Sequence, residues 1–176
     1  QINDFSIDDI IVFFKKYNLT TERVKQLRSL TGADLGKMIK LLEEGDEDVD
    51  LFDSFSSWMR FIYKIDVANI SKWVDTISSK GRKNQNLFLS YAIKMIRECL
   101  IFNFANKSLL KTNEKESFFI SKFASFIHED NTLIIIEELE KAIKGINRNA
   151  NAKILLFELS LQIIKLLKVK RKFATN

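Results

Sequence analysis

Not one proline interrupts this chain of 176 residues, and only 5 glycines punctuate it. Hairpins and tight turns need those residues at set positions, so their scarcity argues against sheets and for long uninterrupted helices. Apolar residues recur at steps of three and four, the period of one helix face. Residues 51–65 carry Phe52, Phe55, Met59 and Ile62 in this way, and residues 67–79 carry Ile70, Trp73, Val74 and Ile77. The same spacing predicts helices over 84–105, 130–146 and 150–168, and one helix or two short ones over 113–127. Asn113 and Glu116 stand three apart, as the two halves of a capping box do. The β-like string Leu133-Ile134-Ile135-Ile136 continues in helical register from Glu137 to Lys144 and reads as helix too. The fold class expected is all-α.

The first 45 residues have their own pattern. Ser6 with Asp9 forms a capping-box variant ahead of Ile10, Phe13, Phe14 and Tyr17. Thr20 or Thr21 opens a second helix that turns Val24, Leu27 and Leu30 inward. The stretch TGADLGKMIKLLEEG at 31–45 then supplies a glycine turn (Gly32), a capping side chain (Asp34), an apolar stripe (Leu35, Met38, Ile39, Leu42) and a stop at Gly45. Residues 5–44 therefore read as three short helices, which bury too little area to stand without a neighbour. Gly45-Asp46-Glu47-Asp48-Val49-Asp50 is an acidic hinge whose charges favour the start of the next helix. It lacks the internal glycine and closing glutamate of a calcium loop. The hinge divides the chain into a three-helix segment, 1–45, and a bundle of five to six helices, 46–176.

Several classes of chemistry are missing. Cys99 is the lone cysteine and sits in an apolar run, which excludes a disulfide framework and fits a reducing, cytoplasmic compartment. It reads as a small core hydrophobe. His128 is solitary and precedes Glu129 and Asp130 at a helix start, the setting of a capping or surface histidine. One histidine and one cysteine cannot make a structural zinc site, and no cofactor is expected. There is no GxxxxGK[ST] string and no catalytic triad. No apolar run reaches the about 18–20 residues that span a bilayer, and no signal peptide is visible. Gln1 in place of a methionine reads as the start of a fragment. Trp58 and Trp73 read as core or interface anchors, and Glu137, Glu138 and Glu140 with Lys141 and Lys144 as a solvated helix face.

The net charge is +5, with two basic clusters. Lys80, Arg82 and Lys83 surround Gly81 between helices, and Lys168, Lys170, Arg171 and Lys172 end the chain. Both read first as a solvated turn and a tail. Lys80, Arg82 and Lys83 are also candidate DNA contacts, although no aromatic residues interleave with them as a stacking platform would need.

Two helices carry more apolar width than one bundle core covers. In 84–105 the polar positions Ser90, Lys94, Arg97 and Glu98 form one narrow stripe, and in 150–168 Glu158, Gln162 and Lys165 do the same. Such helices either lie at the centre of a domain or cover another subunit. On the second reading the candidate interface residues are Phe88, Ala92, Met95, Leu156, Leu159, Ile163 and Leu167.

The segment at 31–45 resembles the last helix of the lid that closes an AAA+ ATPase module. NRNANAKILLFELSLQIIKLL at 147–167, with its internal Glu158, resembles the final helix of a clamp-loader collar. LSYAIKMIRECLIFNF at 89–104 is similar to the long central collar helix of bacterial DNA polymerase III delta prime subunits, and ESFFISKFASFI at 116–127 to the element before the last two helices. The order of these segments is more specific than any one of them. The resemblance implies a lid (1–45) and a collar domain (46–176) from a subunit that helps load the sliding clamp on primed DNA. Lids of hydrolysing subunits carry a sensor-2 arginine after the leucine; here Gly36 follows Leu35, as in a non-hydrolysing subunit. The implied partners are gamma/tau- and delta-type subunits, with DNA touched only indirectly, and the fragment itself a monomer or weak oligomer. ATPase and polymerase activity would belong to the parent complex. A tau/gamma-type subunit, a stand-alone helical adaptor and a nucleic-acid-binding domain are the alternatives.

Overall fold

The computed structural model describes residues 7–14, 21–31, 34–36, 38–39, 51–104 and 110–169. The chain divides into two compact units, Gln1–Asp48 and Val49–Asn176. The fold is all-α, with no strand among the described residues.

In the first unit, α1 (Ile7–Phe14) and α2 (Thr21–Thr31) are followed by a helical turn that holds Leu35, Gly36, Met38 and Ile39. Ile10, Phe14, Val24, Leu27 and Met38 form its core, with Ile11, Phe13, Leu35 and Ile39 packed around them. Thr31 Oγ1 donates to Leu27 O at 2.9 Å and so closes the last turn of α2. Ser6, Thr20, Gly32, Leu42 and the hinge 45–50 lie outside the described residues.

The second unit comprises α3 (Leu51–Lys64), α4 (Val67–Ser78), α5 (Gly81–Phe104), α6 (Glu114–Phe123), α7 (Glu129–Asn147) and α8 (Ala152–Leu167). A 3-10 turn, Ala124–Phe126, extends α6. The stretch 113–127, whose pattern allows one helix or two short ones, is a helix and a 3-10 turn in succession, ended by the extended Ile127. α5 is the axis of the unit: it packs along α7 and touches α3, α4, α6 and the 3-10 turn. α8 lies outside it, across α3, α4 and α7.

Polar groups fix this arrangement as much as apolar ones. The indoles of Trp58 and Trp73 stack with centroids 4.8 Å apart, and the ring of Phe88 from α5 closes on both. Trp58 Nε1 donates to Ser160 Oγ of α8 at 2.9 Å, and Trp73 Nε1 to Ser54 Oγ at 3.2 Å, so neither buried N–H is left unpaired. Asn113 caps α6 in a full capping box with Glu116. The Glu116 carboxylate, almost wholly buried, also accepts from Tyr91 Oη at 2.6 Å and from Lys94 Nζ at 3.1 and 3.2 Å. This knot ties α6 to the axis.

The connections are short. Asp66 caps α4: its Oδ1 accepts from the Asn69 N–H at 3.1 Å, and the Asn69 side chain, followed by its backbone N–H, holds the Asp66 carboxyl below its ordinary pKa. Gly81 has φ +77°, a left-handed value that favours glycine, and opens α5 instead of standing between helices. Arg82 and Lys83 thus belong to the first turn of α5. Glu98, expected on an outer stripe, is buried because its Oε2 accepts from the Lys111 N–H at 3.2 Å. Ile65, between α3 and α4, has φ +55°, a strained conformation for a β-branched residue.

Two stability changes follow. Glu116→Ala leaves the Tyr91 hydroxyl and Lys94 ammonium without their buried partner and should destabilise the chain by about 3–5 kcal/mol, read by urea unfolding. Ile65→Gly releases strain of order 1–3 kcal/mol, part of which glycine's freedom in the unfolded chain offsets; the net gain expected in the same assay is about 1 kcal/mol.

Candidate functional site

Among the described residues no group of three or more His, Cys, Asp or Glu side chains is placed to hold a metal ion. Cys99 is fully buried in α5, and burial, with a smaller contribution from the charge of Glu98, pushes its thiol up to about 12. A thiol this far above neutrality is a packing group and a poor nucleophile. His128 stands at the start of α7, but it is buried, so the surface reading is corrected. Its Nε2 lies 3.0 Å from Val169 O, and its N–H donates to Asn131 Oδ1 at 3.0 Å.

Six of the seven interface candidates are core residues. Phe88, Ala92 and Met95 are enclosed because the faces of α5 that carry them pack against neighbouring helices. Leu156, Leu159 and Ile163 are enclosed because that face of α8 turns inward with Ser160. Leu167 keeps partial exposure. The outward face of α8 carries other residues: Ile154 is 66% exposed and Leu161 37%, with half-buried Phe157 between them and Glu158 and Lys165 beside them. The steps 154, 157, 158, 161 and 165 trace one side of a helix. Both faces of α8 are apolar, so periodicity alone could not say which one looks out.

The basic turn gains company in the fold. The Arg82 guanidinium donates to Asn149 Oδ1, and Asn86 Nδ2 to Asn147 Oδ1 at 2.7 Å, which brings the start of α5 against the end of α7. Arg148 is exposed there, and Lys153 pairs with Asp75 at 2.6 Å. Lys80 (half-buried), Arg82, Lys83, Arg148 and Lys153 therefore gather at one end of the bundle. Of the second basic cluster, Lys170, Arg171 and Lys172 lie outside the described residues.

A groove of about 520 Å³ runs between α3 and α6. Phe52, Met59 and Tyr63 line it from α3, Phe118, Phe119 and Phe123 from α6, and Phe126 closes one end. The rings touch in series. Phe52 meets Phe119 at 6.0 Å, Phe119 stacks on Phe123 at 5.1 Å, Phe123 meets Phe126 at 5.8 Å, and Phe126 meets Tyr63 at 5.0 Å. Phe118 is 70% exposed and Tyr63 59%. Arg60, Lys115 and Lys122 stand on the rim with Asp53, and Lys122 Nζ lies 5.5 Å from the centre of the Phe118 ring. The sequence held one signal of this surface. Phe118, Phe119 and Phe123 occupy more of one helix than a single inward face uses, and Lys115 and Lys122 flank them at a spacing of seven.

Comparisons with protein-family models, with curated proteins and with solved structures give no match.

The state of Cys99 has a measurable consequence. A thiol whose folded pKa is raised keeps its proton where the unfolded chain has lost it, so its stabilising contribution is whole below about pH 9.0 and drains away as pH climbs towards 12. The stability difference between the wild type and Cys99→Ala, measured by urea unfolding, should therefore shrink over that window, and iodoacetamide at pH 8 should label the thiol only as fast as the bundle opens.

Proposed function

We propose that this chain is a non-catalytic assembly module, the lid and collar of a clamp-loader subunit of the bacterial DNA polymerase III delta prime type. Its work is to hold neighbouring subunits in a ring while the sliding clamp is placed on primed DNA. One observation carries the reading: the terminal helix α8 buries one apolar face in its own bundle and presents a second, Ile154, Phe157 and Leu161, to the outside. Glu158 and Lys165 on its border give the apolar centre and charged rim typical of a subunit contact. The division at 48/49 into a short helical unit and a longer bundle fits a lid followed by a collar. Gly36, in the helical turn after Asp34, supports a subunit that does not sense nucleotide. The basic end around Arg82 and Arg148 suits the flank of a complex that handles DNA.

The expected partners are gamma/tau- and delta-type collars. Ile154 is 66% and Leu161 37% exposed, so covering what remains contributes roughly 1–2 and 0.5–1 kcal/mol, and the double variant Ile154→Glu/Leu161→Glu should weaken binding to a gamma-type collar by about 10- to 100-fold. Both side chains are exposed, so the melting temperature should stay near that of the parent chain. Analytical ultracentrifugation of the mixed subunits reads the association. A wild-type chain that ignores every clamp-loader collar, or that hydrolyses ATP by itself, would overturn the reading.

A further inference from the structure

We propose that the groove between α3 and α6 is a docking site for an amphipathic helix of a partner protein, with apolar anchors on one side and Asp or Glu beside them. The residues involved are separate from the outward face of α8, so this site goes beyond the assembly role.

Shape comes first. Phe52 and Tyr63 lie eleven residues apart on α3, so the groove floor is about 16 Å long, or three helical turns. Its volume of about 520 Å³ is in the range of sites that enclose several large side chains. An elongated apolar trough between two helices suits a third helix whose anchors repeat at i, i+4 and i+7. A ring as exposed as Phe118, beside a second as exposed as Tyr63, marks a contact surface more than a solvated one.

Charge selects the occupant. The lining holds three cations, Arg60, Lys115 and Lys122, and one acid, Asp53. None of the three cations makes an ion pair with a described carboxylate; the lysines of the described pairs are Lys94, Lys141 and Lys153 instead. An apolar segment flanked by carboxylates would satisfy floor and rim together, and a basic one would be repelled during the encounter. The rings also disfavour a nucleic-acid strand. Base stacking needs ring faces free at successive positions, whereas Phe119 and Phe123 spend theirs on each other at 5.1 Å.

The test is selection from a random sixteen-residue peptide library displayed on phage, run on the full chain and on Phe118→Ala, followed by fluorescence anisotropy of the enriched peptides. Phe118 is exposed, so its replacement should leave the fold intact, which a melting curve checks. The expected winners carry apolar residues at i, i+4 and i+7 with Asp or Glu beside them. They should lose at least tenfold in affinity with Phe118→Ala, Tyr63→Ala or 0.5 M salt. The double variant Lys115→Glu/Lys122→Glu should favour versions in which Lys replaces the acids. Ile154→Glu/Leu161→Glu should bind the same peptides unchanged, which separates this site from the assembly contact. Enrichment of basic peptides, no enrichment that depends on Phe118, tighter Phe118-dependent binding of oligo-dT or oleate, or a dimer of the chain that Phe118→Ala dissolves would each overturn the proposal.

Discussion

A helix enclosed on all but one narrow side dictates where its neighbours go. α5 buries side chains around most of its circumference, from Leu87 and Phe88 to Ile96 and Cys99. Leaving any of those faces in water would forfeit the burial that stabilises the unit. α3, α4, α6 and α7 therefore surround it, and α8 is left to a second layer across three of them. Leu156, Leu159 and Ile163 complete that outer packing, while the opposite side of α8 meets no further helix of this unit among the described residues. The exposed apolar face follows from topology: four helices around one axis leave the sixth with two apolar sides and a single neighbourly one.

Hydrophobic packing alone would leave the rotation of α6 loosely specified, because rings slide over one another at small cost. The Glu116 carboxylate removes that freedom. Its four hydrogen bonds, from Tyr91, from Lys94 twice and from the Asn113 N–H, have fixed lengths and directions. They set which residues of α6 turn inward: Ile120 and Phe123 enter the core, and Phe118 is left outside. The aromatic groove is thus positioned by a polar contact one turn away on the same helix, since Phe119 and Phe123 follow Glu116 at steps of three and seven.

Much of the architecture could be read from the residues. Apolar steps of three and four gave the helices to within a few residues of their ends, and the Asn113–Glu116 pair gave the cap of α6 together with its geometry. What escaped was three-dimensional by nature. Periodicity identifies an apolar face but not its destination, so the buried Phe88, Ala92 and Met95 were indistinguishable from subunit contacts. Glu98 looked solvated because its partner, the Lys111 N–H, stands thirteen residues further along the chain. Arg148 joins Arg82 only because two helix ends meet across more than sixty residues of sequence. The groove was hidden for a similar reason: half its wall is written at 52–63 and half at 115–126.

The two tryptophans, Trp58 and Trp73, both belong to the second unit, stacked and shielded from water. The first 48 residues contain none. Indole emission from this protein is therefore a one-sided witness: it reddens when the larger unit melts and keeps silent about the smaller. Set beside circular dichroism, which registers every helix, it would resolve whether the halves come apart together or in turn, with no dye or label added.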